Sequence, residues 1–467
     1  MPPWWDESWQ VIVIGGGNAA LVSAISARKH ADRVLLIERA PAEMRGGNTR
    51  HTRNVRCVHA QGDAFVEGSY LYEELWDDLC QVGTGPTDEK LAALTVRESE
   101  GVPPWMARHG VRWQAPLSGT LHLGRTNRFF LGGGKALVNT YHRRLEQLGV
   151  RVVYDTTVEE LVMAGDRCAG VIVEAPDGRH RVEAAAVVCA CGGFEANLDW
   201  LRRYWGDAVD NYVIRGTPYN DGRLLAFLYG LGAAPAGQEK GFHAVAVDAR
   251  APRFDGGIAT RLDTIPFSIV VNGAGRRFYD EGEALWPKRY AIWGRNIAEQ
   301  PGQIAWSIWD SKVRSQFLPP MYGASSADTL QALAPLLGLD PDALKATVES
   351  YNAAVVPGGT FDPSMLDDCH TAGLDPPKSH WAQRIDTPPY FGIAMRPGIT
   401  FTYMGARVDE DARVVRTDGT SFPNVFAAGE IMSGNILSTG YLAGFGMTIG
   451  AVWGRIAGGN AARATRD

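Results

Sequence analysis

The feature that most constrains this chain is a glycine-rich turn between two apolar segments near the N-terminus. Residues 11–14 are four consecutive β-branched residues, which predicts a buried parallel strand, and the apolar residues after Gly17 predict a helix. Gly15 permits a tight turn, and Gly17 lets the backbone approach a pyrophosphate at the helix N-terminus. A second apolar strand ends in Glu38, whose carboxylate is suited to accept hydrogen bonds from ribose hydroxyls. The spacing predicts a dinucleotide-binding unit.

A second motif near the C-terminus matches the first. Residues 425–428 form a short apolar run that leads into Gly429–Glu430, and a further glycine-rich segment follows at residues 444–448. A carboxylate at the end of an apolar strand needs a hydrogen-bond partner, since burying it unpaired is costly. The two motifs together predict that the chain binds FAD between its two ends.

Composition limits the classes of partner. The chain has 467 residues and a formal net charge of −6, which argues against binding to nucleic acid or to an anionic membrane. No apolar run approaches the ~18 residues that span a bilayer. The first residues lack the basic and apolar regions of a signal peptide. We therefore expect a cytoplasmic protein that is not inserted into a membrane.

The cysteines show no metal-binding spacing. There are six, at positions 57, 80, 168, 189, 191 and 369, and no two of them form a CxxC pair. Neither a zinc site nor a ferredoxin-type cluster is therefore predicted, and no metal site is expected. Cys189 and Cys191 lie in an apolar run, which favours small buried thiols. Electrons that leave a flavin in this chain are expected to pass to another molecule.

The order of elements predicts one domain inserted into another. Strand and helix patterns alternate through the first half, including helices over residues 71–109 and 136–148. From about residue 240 to 395, tryptophans, prolines and short segments replace this alternation, which suggests a separate domain. We predict an α/β fold: a Rossmann-like FAD-binding domain from residues 1–239 and 396–467, with an inserted α+β domain at residues 240–395.

The order of short motifs resembles the flavoproteins of the fumarate reductase and succinate dehydrogenase superfamily. The resemblance rests on GGGNAA at 15–20, Glu38, GGNT at 46–49, ACGG at 190–193, NDG at 220–222 and Gly429–Glu430. Two stretches, RGGNTRHTRN at 45–54 and GEIMSGNILSTGYLAGFGMTIG at 429–450, are most similar to the FAD-dependent tricarballylate dehydrogenases. That group oxidises tricarballylate to cis-aconitate and passes the electrons to a separate membrane iron–sulfur protein.

The resemblance implies FAD, a capping domain over its isoalloxazine ring, and a small carboxylate substrate. A helix that starts near Gly446 would direct its N-terminus at the flavin N1 and O2 edge, where negative charge appears on reduction. Asn48 stands where related enzymes attach FAD through a histidine, so we expect non-covalent FAD. The cofactor-binding residues predicted in this way are Gly15, Gly17, Asn18, Ala19, Glu38, Arg39, Gly46, Gly47, Asn48, Thr49, Val158, Cys191, Gly192, Asp221, Gly429, Glu430, Gly446 and Met447.

Four residues are candidates for the catalytic acid or base. In fumarate-type enzymes an arginine of the capping domain donates the proton, and after a local shift Arg289 or Lys288 is the counterpart here, with Arg289 the candidate chosen. Either Thr402 or Tyr403 lies where those enzymes have a histidine that binds substrate carboxylate, and Tyr403 is the candidate of the two. Tyr441 replaces a carboxylate-binding arginine, and it resembles the tyrosine that polarises a substrate carbonyl in ketosteroid dehydrogenases. His51 is either an imidazole near flavin or substrate or a loop histidine bonded to backbone.

Several loop cations favour an anionic substrate, because arginine forks suit carboxylates. These cations are Arg45, Arg50, Arg53, Arg56, Arg125, Arg128 and Lys135. The leading hypothesis is therefore dehydrogenation of a carboxylate such as tricarballylate. One alternative is a desaturase or ene-reductase for a bulkier or cyclic carbonyl compound, which an aromatic cap of Trp286, Trp293, Trp306 and Trp309 would favour if these residues were not ordinary core. A second alternative is a non-catalytic flavoprotein subunit.

Overall fold

The computed structural model describes residues 3–115, 123–283 and 290–466. Within these residues the strands, in chain order, are β1 (Trp9–Ile14), β2 (Val34–Ile37), β3 (Asn54–Arg56), β4 (Trp113–Gln114), β5 (Asn127–Phe130), β6 (Arg151–Val153), β7 (Thr157–Ala164), β8 (Arg167–Ala175), β9 (Gly178–Cys189), β10 (Val213–Ile214), β11 (Pro235–Ala236), β12 (Phe242–Asp248), β13 (Ile269–Val271), β14 (Ala305–Asp310), β15 (Ser325–Ala327), β16 (Tyr390–Thr402), β17 (Gly405–Ala406), β18 (Arg413–Val415) and β19 (Ser421–Ala427).

The helices of the same residues include those predicted from the sequence. They are α1 (Asn18–Ala27), α2 (Tyr72–Gln81), α3 (Glu89–Ser99), α4 (Val102–Arg108), α5 (Gly133–Gln147), α6 (Leu198–Trp205), α7 (Arg223–Gly230), α8 (Ile292–Ala298), α9 (Leu330–Leu337), α10 (Pro341–Ala354) and α11 (Phe445–Arg463). The predicted helical region over residues 71–109 consists of α2, α3 and α4, and the one over residues 136–148 is α5.

The larger sheet carries the N-terminal and C-terminal motifs on neighbouring strands. Its order is β18-β19-β9-β1-β2-β6, and β8 and β7 extend it antiparallel from β9. The central strands β19, β9, β1, β2 and β6 are parallel, and residues 11–14 of β1 are buried, as their β-branched side chains predict. Because the carboxyl ends of parallel strands meet at one edge, the turns that follow β1, β2, β9 and β19 lie side by side.

Helices α1 and α11 approach each other backbone to backbone. Gly450, Gly454 and Gly458 are spaced four residues apart and therefore share one face of α11. A Cβ atom at Gly454 would lie 2.7 Å from the carbonyl oxygen of Ala19, and one at Gly458 would overlap the carbonyl oxygen of Ser23. This close contact holds the N-terminal motif against the C-terminal motif.

The second sheet is built around the long strand β16. Its order is β10-β16-β14-β13, with β12 and β15 also paired to β16, and only the β10 pair is parallel. Helix α8 packs across β12 and β16. Trp293, Trp306 and Trp309 are buried in the cores beside this sheet, so they act as packing residues and not as a ligand-facing aromatic cap. Trp286 lies outside the described residues.

The architecture confirms the predicted fold class, a Rossmann-like domain with an inserted, mainly antiparallel domain. The second sheet takes its strands from residues 213–402, a wider range than the predicted insertion at 240–395. Strand β10 has two residues, too few for a periodic pattern, and β16 continues past residue 395. The division into residues 1–239, 240–395 and 396–467 stays a prediction.

The next features of the described segments concern membrane insertion, metal binding and the cysteines. No helix in them has the length and apolar character needed to cross a membrane. They contain no group of three or more His, Cys, Asp or Glu side chains arranged to hold a metal ion. All six cysteines are free thiols, and burial raises the pKa of Cys191 to about 12.

Candidate functional site

A large cavity lies at the carboxyl edge of the larger sheet and is bounded by both sheets. It encloses about 1520 Å³, counting its opening to solvent. The larger sheet contributes the turns after β1, β2, β9 and β19, and the second sheet contributes residues beside β10 and within β12 and β16. The first turn of α11 and a 3-10 turn over Gly47–His51 complete its wall. The cavity thus joins both sequence motifs to the inserted domain.

The glycine turn after β1, where a pyrophosphate is expected, presents backbone atoms to the cavity because residues 15–17 are glycines. Gly15 has a φ of +114°, and a Cβ atom there would overlap the carbonyl oxygen of Ala190. Gly17 is the N-cap of α1 and offers no side-chain acceptor to the first-turn N–H groups, although Asn18 N–H donates to Thr49 Oγ1 at 2.8 Å. The Asn18 amide also donates to the carbonyl oxygen of Met447 at 3.0 Å. An uncapped helix N-terminus of this kind suits a pyrophosphate.

Three buried carboxyl groups, those of Glu38, Glu195 and Glu430, follow strands of the larger sheet. Glu38 accepts the Ala40 N–H at 2.9 Å, and burial raises its pKa. Glu430 accepts the Thr402 N–H at 2.9 Å, and both burial and neighbouring Glu195 raise its pKa well above the usual range. The Glu38 carboxyl lines the cavity after β2, where a ribose is expected, and Glu430 lines it after β19.

Glu195 and Glu430 are two buried carboxyl groups whose pKa values are both raised. Glu195 Oε1 accepts the amide N–H groups of Asn48 at 2.6 Å and Asn220 at 2.7 Å, whereas its Oε2 has no conventional donor. Burial and the neighbouring Glu195 hold the pKa of Glu430 well above its usual range, which favours a proton on Glu430. Burial raises the pKa of Glu195 as well. Asn48, one of the predicted cofactor residues, is therefore held by Glu195.

All but one of the predicted cofactor residues line the cavity. The exception is Gly46, which lies behind the wall, where a Cβ atom would be 2.8 Å from a methyl carbon of Val138. The residues present fit FAD: the uncapped start of α1 would hold the pyrophosphate, and Glu38 and Glu430 would hold sugar or ribityl hydroxyls. The predicted residues in the wall are Gly15, Gly17, Asn18, Ala19, Glu38, Arg39, Gly47, Asn48, Thr49, Val158, Cys191, Gly192, Asp221, Gly429, Glu430, Gly446 and Met447.

The structure separates the four predicted catalytic residues. His51 and Tyr441 line the cavity, and Tyr441 Oη accepts the Gly446 N–H at 3.1 Å. Tyr403 is 1 % exposed and is not part of the cavity wall, because its ring packs beneath Gly241. It therefore does not reach a ligand in this cavity. Arg289 lies outside the described residues.

One alternative expected a loop histidine bonded to backbone, but the hydrogen-bond partner of the His51 ring is a side chain. The Nε2 of His51 is hydrogen-bonded to Asp255 Oδ1, and the ring is 8 % exposed. Burial lowers the pKa of His51 to about 4, with Arg215 and Arg50 adding to the decrease and Asp255 opposing it. The imidazole is therefore neutral at neutral pH.

Sequence reasoning missed several polar residues that strands of the second sheet and their neighbouring segments bring to the cavity wall, among them Arg215, His243 and Tyr290. Arg215 is 5 % exposed: its Nε donates to Thr400 Oγ1 at 2.8 Å, and its Nη1 has no hydrogen-bond partner among the described residues. His243 Nε2 is also buried without a partner, and its ring lies 4.0 Å from that of Tyr441. A charged residue that directly follows the short apolar pair 213–214 was the available signal for Arg215.

The electrostatics of this part of the wall are dominated by arginine. Burial, followed by the neighbouring Arg261, lowers the pKa of Arg53 to about 10. Burial also lowers the pKa of His243 well below its usual range, with Arg215 and Arg261 contributing. Arg261 is paired with Asp263 at 2.6 Å. Within the described segments, Arg53 and Arg215 have no acidic partner at ion-pair distance.

Most of the other arginines that the sequence suggested for substrate binding have different roles. Arg56 is fully buried and donates to the Ala443 carbonyl oxygen at 2.9 Å. Arg125 pairs with Glu74, and Arg128 pairs with Asp63 at 2.7 Å. The cavity wall includes none of Arg45, Arg50, Arg56, Arg125, Arg128 and Lys135, and of the suggested cations it contains Arg53.

Comparison with known proteins identifies relatives of this chain. A family model described as FAD binding domain matches residues 10–446. NADH:fumarate oxidoreductase of Klebsiella pneumoniae (strain 342) is 27% identical over 98% of this chain and 48% of its own length, so the chain spans about half of that relative. A probable fumarate reductase, Ifc3, of Shewanella frigidimarina (strain NCIMB 400) is 26% identical over 99% of this chain and 76% of its own length.

A solved structure shares the fold. 3-Ketosteroid Δ1-dehydrogenase from Sterolibacterium denitrificans, in complex with 1,4-androstadiene-3,17-dione, has a TM-score of 0.77 at 18% identity. The alignment covers 98% of this chain and 99% of that one. The cavity therefore lies in a fold that related flavoproteins use. With the family model matching most of its length, the chain binds FAD and belongs to the FAD binding domain family, within the fumarate reductase and succinate dehydrogenase flavoprotein superfamily.

Proposed function

We propose that this protein is an FAD-dependent dehydrogenase that desaturates a C–C single bond next to a carboxylate, with tricarballylate, converted to cis-aconitate, as its leading substrate. One observation carries the proposal: in the described part of the cavity wall, Arg53 and Arg215 have no acidic partner. Burying an unpaired guanidinium costs several kcal/mol, about as much as removing one partner of a buried pair. A ligand carboxylate would supply the missing partner.

The wall residues suggest how the substrate is bound and oriented. Nε of Arg215 is held by Thr400, which leaves Nη1 free for a substrate oxygen. Arg53 offers a second guanidinium, so two carboxylates of a polycarboxylate can be bound at once. A carboxylate paired with arginine raises the acidity of its α C–H bond. FAD, when bound, supplies the acceptor for the hydride that leaves the adjacent carbon.

The proton from the α-carbon needs a base, and His51 is the favoured one of the predicted candidates. Its imidazole is neutral, because burial lowers the pKa to about 4, and a bound anion beside it would raise that value toward the working pH. Burial raises the pKa of Tyr441, which keeps the phenol protonated and suits it to donate a hydrogen bond. Tyr403 is remote from the cavity, and Arg289 stays a prediction outside the described residues.

The reaction leaves two electrons that must pass to another molecule. The described residues contain no cluster of metal-binding side chains to receive them. By the resemblance to tricarballylate dehydrogenases, we propose a membrane iron–sulfur protein as the acceptor.

One observation favours a second candidate function. Tyr441 lines the cavity and accepts a backbone N–H, so its own hydroxyl hydrogen is available to a substrate carbonyl. This arrangement is compatible with a desaturase or ene-reductase for a cyclic carbonyl compound. The unpaired arginines favour the carboxylate substrate, because a neutral ketone would leave both charges uncompensated.

Anaerobic reduction of the bound flavin tests these alternatives. Bleaching of the flavin absorbance by tricarballylate supports the leading proposal, and cis-aconitate should appear in equal amount. Bleaching only by cyclic ketones supports the second function and would overturn the first. If no carboxylate and no ketone reduces the flavin, the protein is a non-catalytic flavoprotein.

A further inference from the structure

A long basic stretch of the chain contributes nothing to the wall of the FAD cavity. Residues 101–145 contain no Asp or Glu, although the whole chain has 52 of these among 467 residues, about one in nine. The same stretch contains seven Lys or Arg side chains. In a protein with a net charge of −6, such a stretch creates a local positive potential unless acids from elsewhere in the fold pair with it.

The fold pairs some of these cations and leaves others without an acid. Arg125 pairs with Glu74, and Arg128 pairs with Asp63 at 2.7 Å, so both acids come from before the stretch. Four further cations have no acid at ion-pair distance among the described residues, and all four line one cleft: Arg108, Arg112, Arg143 and Arg144.

The cleft lies between the turn that follows α4, the end of β5 and one face of α5. It encloses about 1320 Å³, counting its opening to solvent. The residues that α5 contributes run from Ala136 to Gln147, which at ~1.5 Å per residue is about 16 Å of helix. In the described chain, the walls of this cleft and of the FAD cavity share no residue. The cleft is therefore a separate site.

Neutral groups hold two of the arginines in place. Arg144 Nε donates to His109 Nδ1 at 3.3 Å, and its Nη1 donates to Gln147 Oε1 at 3.2 Å. Arg143 Nη2 donates to Thr140 Oγ1 at 3.1 Å. These partners orient the guanidinium groups and leave their charges uncompensated.

The positive potential of the cleft acts on the imidazole in its wall. Burial lowers the pKa of His109 to about 4, and Lys29, Arg144 and Arg108 add to the decrease. The part of the wall that the structure describes contains no Asp or Glu to oppose them. The guanidinium groups therefore repel one another until an anion enters.

The cleft also contains apolar surface. Val111, Phe130 and Leu137 line it with side chains that are otherwise buried, whereas Leu131 is 51 % exposed. Binding sites for small molecules combine such apolar surface with a few charged groups that fix the orientation of the ligand. An open leucine beside several arginines suits a ligand with a ring at one end and anionic groups at the other.

The charged part of the wall is suited to phosphate. A guanidinium fork binds two phosphate oxygens at once, and adjoining phosphates carry several negative charges on a short chain. We propose that the cleft binds an organic polyphosphate of nucleotide size, with its phosphates on the arginines and its ring against Leu131. The inference does not depend on the proposed function, because the two sites are separate.

Isothermal titration calorimetry with ATP tests the proposal. The FAD-loaded protein is used, because an empty cofactor cavity would itself offer a site to a nucleotide. We expect one ATP per chain, with an affinity that falls as salt is raised from about 50 to about 300 mM. Adenosine, which lacks the phosphates, should not bind.

The double variant Arg112→Gln with Arg143→Gln removes one arginine from each side of the cleft. Both side chains are exposed, so flavin content and melting temperature should stay within error. The Kd for ATP should rise about tenfold or more, because two charge-assisted contacts to phosphate are lost.

A matched control is Arg167→Gln with Arg181→Gln. It also removes two exposed positive charges, but from β8 and β9, outside the cleft wall. The Kd for ATP should stay unchanged. An equal loss in both double variants would report net charge alone and would overturn the site, as would the absence of ATP binding.

Leu131→Ser separates the ring contact from the phosphate contacts. The Kd for ATP should rise about threefold or more, while that for inorganic tripolyphosphate should not change. If tripolyphosphate binds as tightly as ATP and Leu131→Ser affects neither, the cleft takes inorganic polyphosphate and the organic ligand is wrong. If ATP does not bind and poly-glutamate binds to the unmodified protein but not to the cleft double variant, the cleft is a docking surface for an acidic polypeptide, which also overturns the proposal.

Discussion

Substitution of Arg215 by methionine should have opposite effects on catalysis and on stability. Methionine keeps a similar length and removes the charge. A buried charged hydrogen bond to a ligand costs about 2–4 kcal/mol when truncated, which corresponds to a fall in kcat/KM of roughly 30- to 1000-fold. The fall should be largest for the most highly charged substrate, because Arg215 Nη1 has no partner within the described protein.

The stability of the substrate-free protein should not fall in parallel. Arg215 is 5 % exposed and has no acidic partner among the described residues, so the folded state bears its desolvation cost. Replacing buried charges by apolar residues of similar volume is often neutral or stabilising by about 1–4 kcal/mol. The lost hydrogen bond to Thr400 offsets about 1 kcal/mol of this gain. The free energy of unfolding should therefore stay equal or rise by as much as ~3 kcal/mol.

Two assays on the same preparation test the expected effects of Arg215→Met on catalysis and on stability. Steady-state kinetics with an artificial electron acceptor measure kcat/KM, and thermal denaturation of the FAD-loaded, substrate-free protein measures stability. Arg202→Met is a suitable control, because Arg202 forms surface ion pairs with Asp199 and Asp210 outside the cavity. A lower melting temperature of Arg215→Met together with less than about a threefold change in kcat/KM would refute the assignment of a substrate-binding role.

Three further predictions concern packing, pH and cofactor attachment. Gly458→Ala should lower the free energy of unfolding by about 1–3 kcal/mol, because the new Cβ atom meets the backbone of α1. Gly459→Ala in the same helix is the control: its Cβ atom meets no backbone, so this variant should be neutral or slightly stabilised. Equal melting temperatures of the two variants would contradict the prediction. Burial raises the pKa of Glu195, so the folded protein loses stability as pH rises above the unfolded pKa of this carboxyl group. Glu195→Gln removes the ionisation and should therefore stabilise the protein more at pH 8 than at pH 5 in thermal melts. With Asn48 at the attachment position, acid precipitation should release the flavin into the supernatant, and a yellow pellet would be the contrary result.

The local motifs were predictable because each is set by neighbouring residues. A run of β-branched residues before a glycine turn favours a buried strand, and the structure has β1 at that position. The helix expected near Gly446 starts at Phe445. The edge shared by Glu38 and Glu430 also followed from the sequence, since the ends of parallel strands meet at one side of a sheet.

Arg53 and Arg56 illustrate what local sequence does not decide. They are three residues apart, Arg53 directly before β3 and Arg56 at its end, and were equal candidates for substrate binding. Arg56 is fully buried, donates to the Ala443 carbonyl oxygen and the Tyr70 hydroxyl, and lies 3.8 Å from Asp78, while Arg53 lines the cavity without an acidic partner in the described chain. The partners of Arg56 include one nearly 400 residues away, so its role could not be read from its own loop.

By itself, the sequence determined the cofactor half of this protein, because the glycine turn, the strand ends and their acids act through backbone geometry within short segments. Only the tertiary structure decided the substrate half. Arg215 and His243 line the same cavity as His51, and Asp255 is hydrogen-bonded to His51, although these residues are roughly 160–200 positions from His51 in the chain. Whether such a charge is paired or left for a ligand depends on which distant side chains surround it, and that is a property of packing and not of spacing along the chain.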